Sequence, residues 1–153
     1  MSYLYQIIET EEQPVLVIEK TLPVSKLPEV VGLVFQSIAE YLYRKGDEPL
    51  GPAFIAYHNM DMDNLQVEIG FPVKEKVEGE GEIKASVIPS GKKAVGYHKG
   101  PYREISPLYV GLSSWIFRKG YEPSGIAYEY YFNSPGEIPE TELLTKVEFL
   151  LKE

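Results

Sequence analysis

The stretch Tyr128-Glu129-Tyr130-Tyr131 sets a carboxylate among phenol rings in a run that reads as a β-strand. A carboxylate in that setting supports two kinds of chemistry. It can hold a lipophilic cation by ion pairing while the aromatic faces attract the same charge. If burial raises its pKa, it can instead act as a general base toward water. A solvated strand face is the plainer reading of the same residues. Trp115, the only tryptophan, falls in a helical pattern and is either core or a pocket wall. His98 and Tyr102 flank a Gly-Pro turn in HKGPY (98–102), from which Tyr102 would reach a ligand; His98 serves either there or as a satisfied structural residue. Glu68 and Tyr57, on first-half strands, complete the candidate set.

Other chemistries find little support. There is no phosphate-binding glycine loop, no GxSxG and no HExxH, and His58 and His98 lack metal-ligand spacing or evident partners. The run DMDN (61–64) begins like a calcium loop but lacks the required glycine and distal glutamate, so it reads as a hairpin turn. Neither metal nor cofactor is expected. The absence of cysteine removes disulfides and thiolate nucleophiles. With 153 residues, 44% hydrophobic and 12% aromatic, the chain has material for one packed domain, and no apolar run nears the roughly 20 residues of a membrane span. The first twelve residues are polar and acidic, unlike a secretory leader, and a cytoplasmic location is expected. A net charge of -8 argues against direct nucleic-acid binding and suits a cationic or neutral ligand.

The elements that must position these residues come twice. YLYRKGDEPLGPAFIAYHN (41–59) and WIFRKGYEPSGIAYEYYFN (115–133) align without a gap, with nine identities in nineteen positions where chance gives about one. Within this duplication Ile55 becomes Glu129 and Ala56 becomes Tyr130. Residues 3–8 with 14–20, and 84–88 with 93–98, look like hairpins. A helix follows each: one with Val31, Val34, Phe35, Ile38 and Leu42 on its apolar face, ending at Gly46; another capped by Ser106, with Leu108, Leu112, Trp115 and Ile116, ending at Gly120. Strands at 53–57, 65–73, 126–132 and 144–151 complete the two modules. The expected fold is α+β: hairpin-helix-hairpin modules, mainly antiparallel, helices on one face and a ligand groove at the pseudo-twofold seam. Repeat one would span about 3–73, an acidic linker 74–82 and repeat two 83–151, in a single domain. Strand alternation groups Ala127, Glu129 and Tyr131 on one face; Val67, Ile69 and Phe71 would meet the helices, so Glu68 and Glu129 are expected to share the face away from them.

VIPSGKKAVGYHKGPYREI, the helix ending WIFRKG, the run YEYYFNSP and a closing T-x-V strand together resemble the GyrI-like small-molecule-binding superfamily, which includes effector-binding domains of AraC-type and MerR-type regulators. VEIGFPV (67–73) is similar to that family's E-x-G-x-PV motif. The resemblance covers nearly the whole chain. It implies a groove for amphipathic, often cationic compounds, with Glu129 as the acidic ligand residue and Glu68, Tyr131, Trp115 and Tyr102 as neighbours. Some members hydrolyse strained cyclopropane rings with a glutamate and a tryptophan, which would make Glu129 or Glu68, with Trp115, catalytic here. The family's namesake implies a third role, sequestering a protein partner such as gyrase. No helix-turn-helix precedes residue 14, so a stand-alone binding domain is the expected form.

Overall fold

The computed structural model describes residues 3–153. Its elements run β1 (Tyr5–Thr10), β2 (Gln13–Leu22), α1 (Leu27–Arg44), β3 (Ala53–Tyr57), β4 (Leu65–Pro72), β5 (Lys84–Ile88), β6 (Gly91–Lys99), α2 (Ser106–Arg118), β7 (Pro123–Tyr131) and β8 (Leu144–Leu151). The protein is α+β, with mainly antiparallel strand pairing. The chain forms two compact units, one of residues Glu12–Pro89 and one of residues 3–11 with Ser90–Glu153.

In the unit of Glu12–Pro89 the strand order is β3-β4-β2-β5. Helix α1 begins at Leu27 with Pro28 in its first turn, where a missing N–H costs nothing, and buries Leu27, Val34, Ile38, Tyr41 and Leu42. Phe35 meets Phe71 of β4 at 5.5 Å between ring centres, so Val67, Ile69 and Phe71 do face the helix. The acidic stretch after β4 is tied to α1, because the Tyr41 hydroxyl donates to the Glu78 carbonyl at 2.6 Å.

In the other unit the order is β1-β6-β8-β7. Helix α2 lays Leu108, Leu112 and Ile116 on Ala94, Ala127, Val147, Phe149 and Leu151. Burying each large aliphatic side chain of this kind stabilises the fold by roughly 1.5–3 kcal/mol. Both helices stop at a glycine in the left-handed region, Gly46 at φ 76° and Gly120 at φ 81°. The duplicated R-K-G therefore encodes a shared helix end. Ser106 is the first helical residue and makes no capping bond, which corrects its expected role; Ile105 precedes the helix and Pro107 sets its start.

The first strand of each copy pairs differently from the hairpins expected. Strand β1 lies against β6, with Tyr5 opposite Gly96, and β5 lies against β2, with Leu16 opposite Ala85. Each copy thus sends its own edge strand to the sheet built mostly by the other. Two-residue and three-residue polar turns favour hairpins, but the pairing partner of an edge strand is decided by tertiary packing, here by the fit of Tyr5 over Gly96 and Gly111.

Candidate functional site

Register fixes which side chains meet beneath α2. On β8, Val147, Phe149 and Leu151 belong to the core under the helix, so Thr145 projects to the same face. Thr145 stands opposite His98 of β6 and opposite Tyr131 of β7, and Val147 stands opposite Glu129. Glu129 therefore lies on the helix-covered face of its own sheet, and the expectation that it would point away from the helices is overturned. Its counterpart in the first copy says the same, since Ile55 pairs with the helix-facing Ile69.

The Glu129 carboxyl is held from two sides. The Tyr109 hydroxyl, from α2, donates to Oε2, and the Tyr131 hydroxyl donates to Oε1 at 2.7 Å. The residue keeps partial exposure while its carboxyl is crowded by protein, and this burial pushes its pKa above the ordinary carboxylate value; the two phenols and nearby His98 pull the other way without cancelling it. Tyr102, in a 3-10 turn at Tyr102–Glu104, sets its ring edge-on to Tyr131 at 5.6 Å. Burial, and then the charge of Glu129, raise the Tyr102 pKa. At 36% exposure Tyr102 is the most exposed ring of the group.

His98 is buried and satisfied: Nε2–H donates to the Pro101 carbonyl at 2.9 Å, and Nδ1 accepts from the Tyr3 hydroxyl at 3.3 Å. It fixes the turn that carries Tyr102. Thr145 is fully buried, and its hydroxyl has no hydrogen-bond partner among the described residues.

Trp115 lies apart from the carboxyl. It lines an open cleft of about 800 Å³ along α2 with Tyr3, Tyr5, Ser114 and Arg118, and that cleft does not include Glu129. Its ring packs on Tyr5 at 5.8 Å, and the Lys119 ammonium sits 5.8 Å from its centre. Glu68 and Tyr57 belong to the other unit. Glu68 lies on the face away from α1, where its carboxylate takes the His58 imidazole at 2.6 Å and the Ser86 hydroxyl at 3.3 Å. His58 thus has the partner that sequence did not reveal, and the hydrogen bond to Glu68 raises its pKa. Tyr57 ends β3 opposite Val67. The described residues contain no cluster of three or more His, Asp or Glu that could hold a metal, and no helix long and apolar enough to cross a membrane.

Two contributors, Tyr109 and Thr145, were not singled out from sequence. Tyr109 follows the buried Leu108 by one position, which placed it beside rather than on the apolar stripe. Thr145 was visible only as part of the closing T-x-V strand.

Comparison with known proteins decides the family. Residues 4–152 match the GyrI-like small molecule binding domain. The chain belongs to the GyrI-like family. This GyrI-like domain is accordingly a small-molecule-binding domain. Its fold is similar to the crystal structure of the EcmrR C-terminal domain, with a TM-score of 0.83 and 23% identity over 100% of this chain and 99% of that one. In the cryo-EM structure of the EcmrR-DNA complex, the matching region is 58% of the EcmrR chain. A hydrolase from Listeria innocua shares the fold at a TM-score of 0.73 and 12% identity, covering 97% of this chain and 91% of that one. So does SAV2435, solved bound to tetraphenylphosphonium, at 0.62 and 10% identity over 97% and 94%. Among curated protein sequences, none matches.

Proposed function

We propose that this GyrI-like domain binds amphipathic organic cations under α2, with the Glu129 carboxylate as counter-charge and Tyr102, Tyr109 and Tyr131 as aromatic walls. The observation that carries the reading is one carboxyl, displaced upward in pKa by burial and held between two phenol donors. A carboxylate in such surroundings is costly to ionise alone, and a cation that brings its own charge into the site offsets that cost. Each phenol occupies one lone pair of a different oxygen, so both oxygens keep a free lone pair for a ligand. Ring faces beside the carboxylate add cation-π attraction, which strengthens as water is excluded. The reading agrees with the tetraphenylphosphonium bound by SAV2435, a fold relative.

Trp115 would take no direct part, because the cleft its ring lines does not include Glu129. This separation weighs against the paired glutamate and tryptophan of a ring-opening hydrolase. Glu68, whose carboxylate is hydrogen-bonded to His58 and Ser86, takes a structural role.

Equilibrium dialysis with tetraphenylphosphonium tests the proposal. Glu129→Gln keeps the side-chain shape and removes the charge, and affinity should fall roughly tenfold to a hundredfold, or about 1.4–2.8 kcal/mol. Unchanged affinity would remove Glu129 from the site. Chemical analysis of dialysed electrophilic ligands adds the enzymatic outcome: recovery in hydrated form, lost in Glu129→Gln, would recast the carboxylate as a general base.

A further inference from the structure

Resting on the reading of Glu129 as counter-charge, we propose that Thr145 is a second ligand contact, and that the site selects protonated amines carrying N–H groups over quaternary cations of similar bulk. Three observations on the same face of one sheet lead there. Thr145 is fully buried, and its hydroxyl has no partner among the described residues, whereas buried hydroxyls are as a rule hydrogen-bonded. Register places it opposite Tyr131, two pairs along from Glu129 and Val147, so Thr145 and Glu129 are diagonal neighbours about 7–8 Å apart at their backbones. Its neighbours are otherwise committed: His98, directly opposite on β6, spends both ring nitrogens on Tyr3 and Pro101, and the Tyr131 hydroxyl is spent on Glu129.

A group seated between Glu129 and Thr145 thus meets a carboxylate on one side and an uncommitted hydroxyl oxygen on the other. A primary or secondary ammonium fits both, because it presents several N–H donors from one compact charge, each within the roughly 2.7–3.2 Å reach of an N–H···O bond. A phosphonium or trimethylammonium satisfies only the carboxylate, since it has no proton to give. Charge then admits the ligand, and the hydroxyl sorts cations by their donors, the same logic by which a polar group built for a hydrogen bond rejects analogues that lack it. The plain alternative is that Thr145 is a β-branched strand residue whose hydroxyl is simply left over.

Valine has the shape of threonine without its oxygen, so Thr145→Val separates the two. The probes are 3,3-diphenylpropylamine, protonated at neutral pH, and its N,N,N-trimethyl derivative, titrated calorimetrically into the wild type, Thr145→Val, Thr145→Ser and Glu129→Gln. Thr145→Val should lose about tenfold of the wild-type preference for the primary ammonium, with affinity for the trimethyl probe within about twofold of wild type. Thr145→Ser should keep the preference. Removing an orphaned buried hydroxyl should leave the melting temperature of Thr145→Val at or above wild type, which confirms that the variant folds. An unchanged ratio of the two affinities in Thr145→Val, with both affinities lowered in Glu129→Gln, overturns the role of Thr145 alone. Affinities unchanged in Glu129→Gln overturn the counter-charge and the Thr145 proposal with it.

Discussion

Glu129 is a residue whose stability cost and binding value have one cause. Its raised pKa means that the folded protein prefers the carboxyl protonated. The corresponding stability is fully present below the unfolded carboxylate pKa, near 4.3, and is lost as pH rises through the higher folded value. The groups facing it are the Tyr102, Tyr109 and Tyr131 phenols and His98, and their pull toward the ionised form does not cancel the effect of burial. Glu129→Gln, which keeps hydrogen-bonding partners for both phenols, should therefore raise the melting temperature at pH 7. The gap should close near pH 4, where the native glutamate is itself protonated. Thermal melts at the two pH values decide it, and a variant less stable than wild type at neutral pH would contradict the assigned burial cost. The carboxylate among tyrosines was legible in the sequence because YEYY is a local pattern. Its orientation was not, because alternation tells which residues share a face but not which face meets a helix. The needed signal was Ile55, its aligned counterpart, an apolar residue at a core position.

Helices α1 and α2 came through at the level of elements because their apolar spacing and glycine stops are short-range features. The edge strands did not, because β1 and β5 find partners more than sixty residues away. The glycines report this difference in physical terms. Gly32, exposed in α1, has nothing within 4 Å of where a Cβ would sit. Gly32→Ala should gain about 1 kcal/mol from helix propensity alone. Gly111, at the matching kind of position in α2, would place a Cβ 2.0 Å from the Tyr5 hydroxyl oxygen, and the Tyr5 ring is itself held by Trp115. Gly111→Ala should lose about 1–3 kcal/mol despite the same gain in propensity, because β1 must shift from its seat on α2. Chemical denaturation of the two variants measures the opposite signs; two stabilised variants would mean that β1 is not seated over Gly111.

At the scale of the whole molecule, the duplication of 41–59 in 115–133 was the clearest statement in the sequence and carried the fold class, while the motifs around VIPSGKKAVGYHKGPYREI and YEYYFNSP carried the family. What it could not carry is the asymmetry between copies. One copy has Ile55 where the other has Glu129, and the second assembles a carboxyl among phenols under its helix. A net charge of -8 adds a general attraction for cations, but that attraction is screened by salt, whereas a partly desolvated pair at Glu129 is screened much less. The most direct test follows from the raised pKa: a cation that binds only the ionised carboxylate must expel its proton. Calorimetric titration of tetraphenylphosphonium in two buffers of different ionisation enthalpy, over a pH series from neutral down to the ordinary carboxylate range, counts the protons released. The account predicts release that grows from near zero toward about one proton as pH falls through the Glu129 pKa, with affinity weakening in step and no release in Glu129→Gln. Binding with no proton release at any pH, or with the same release in Glu129→Gln, would contradict it.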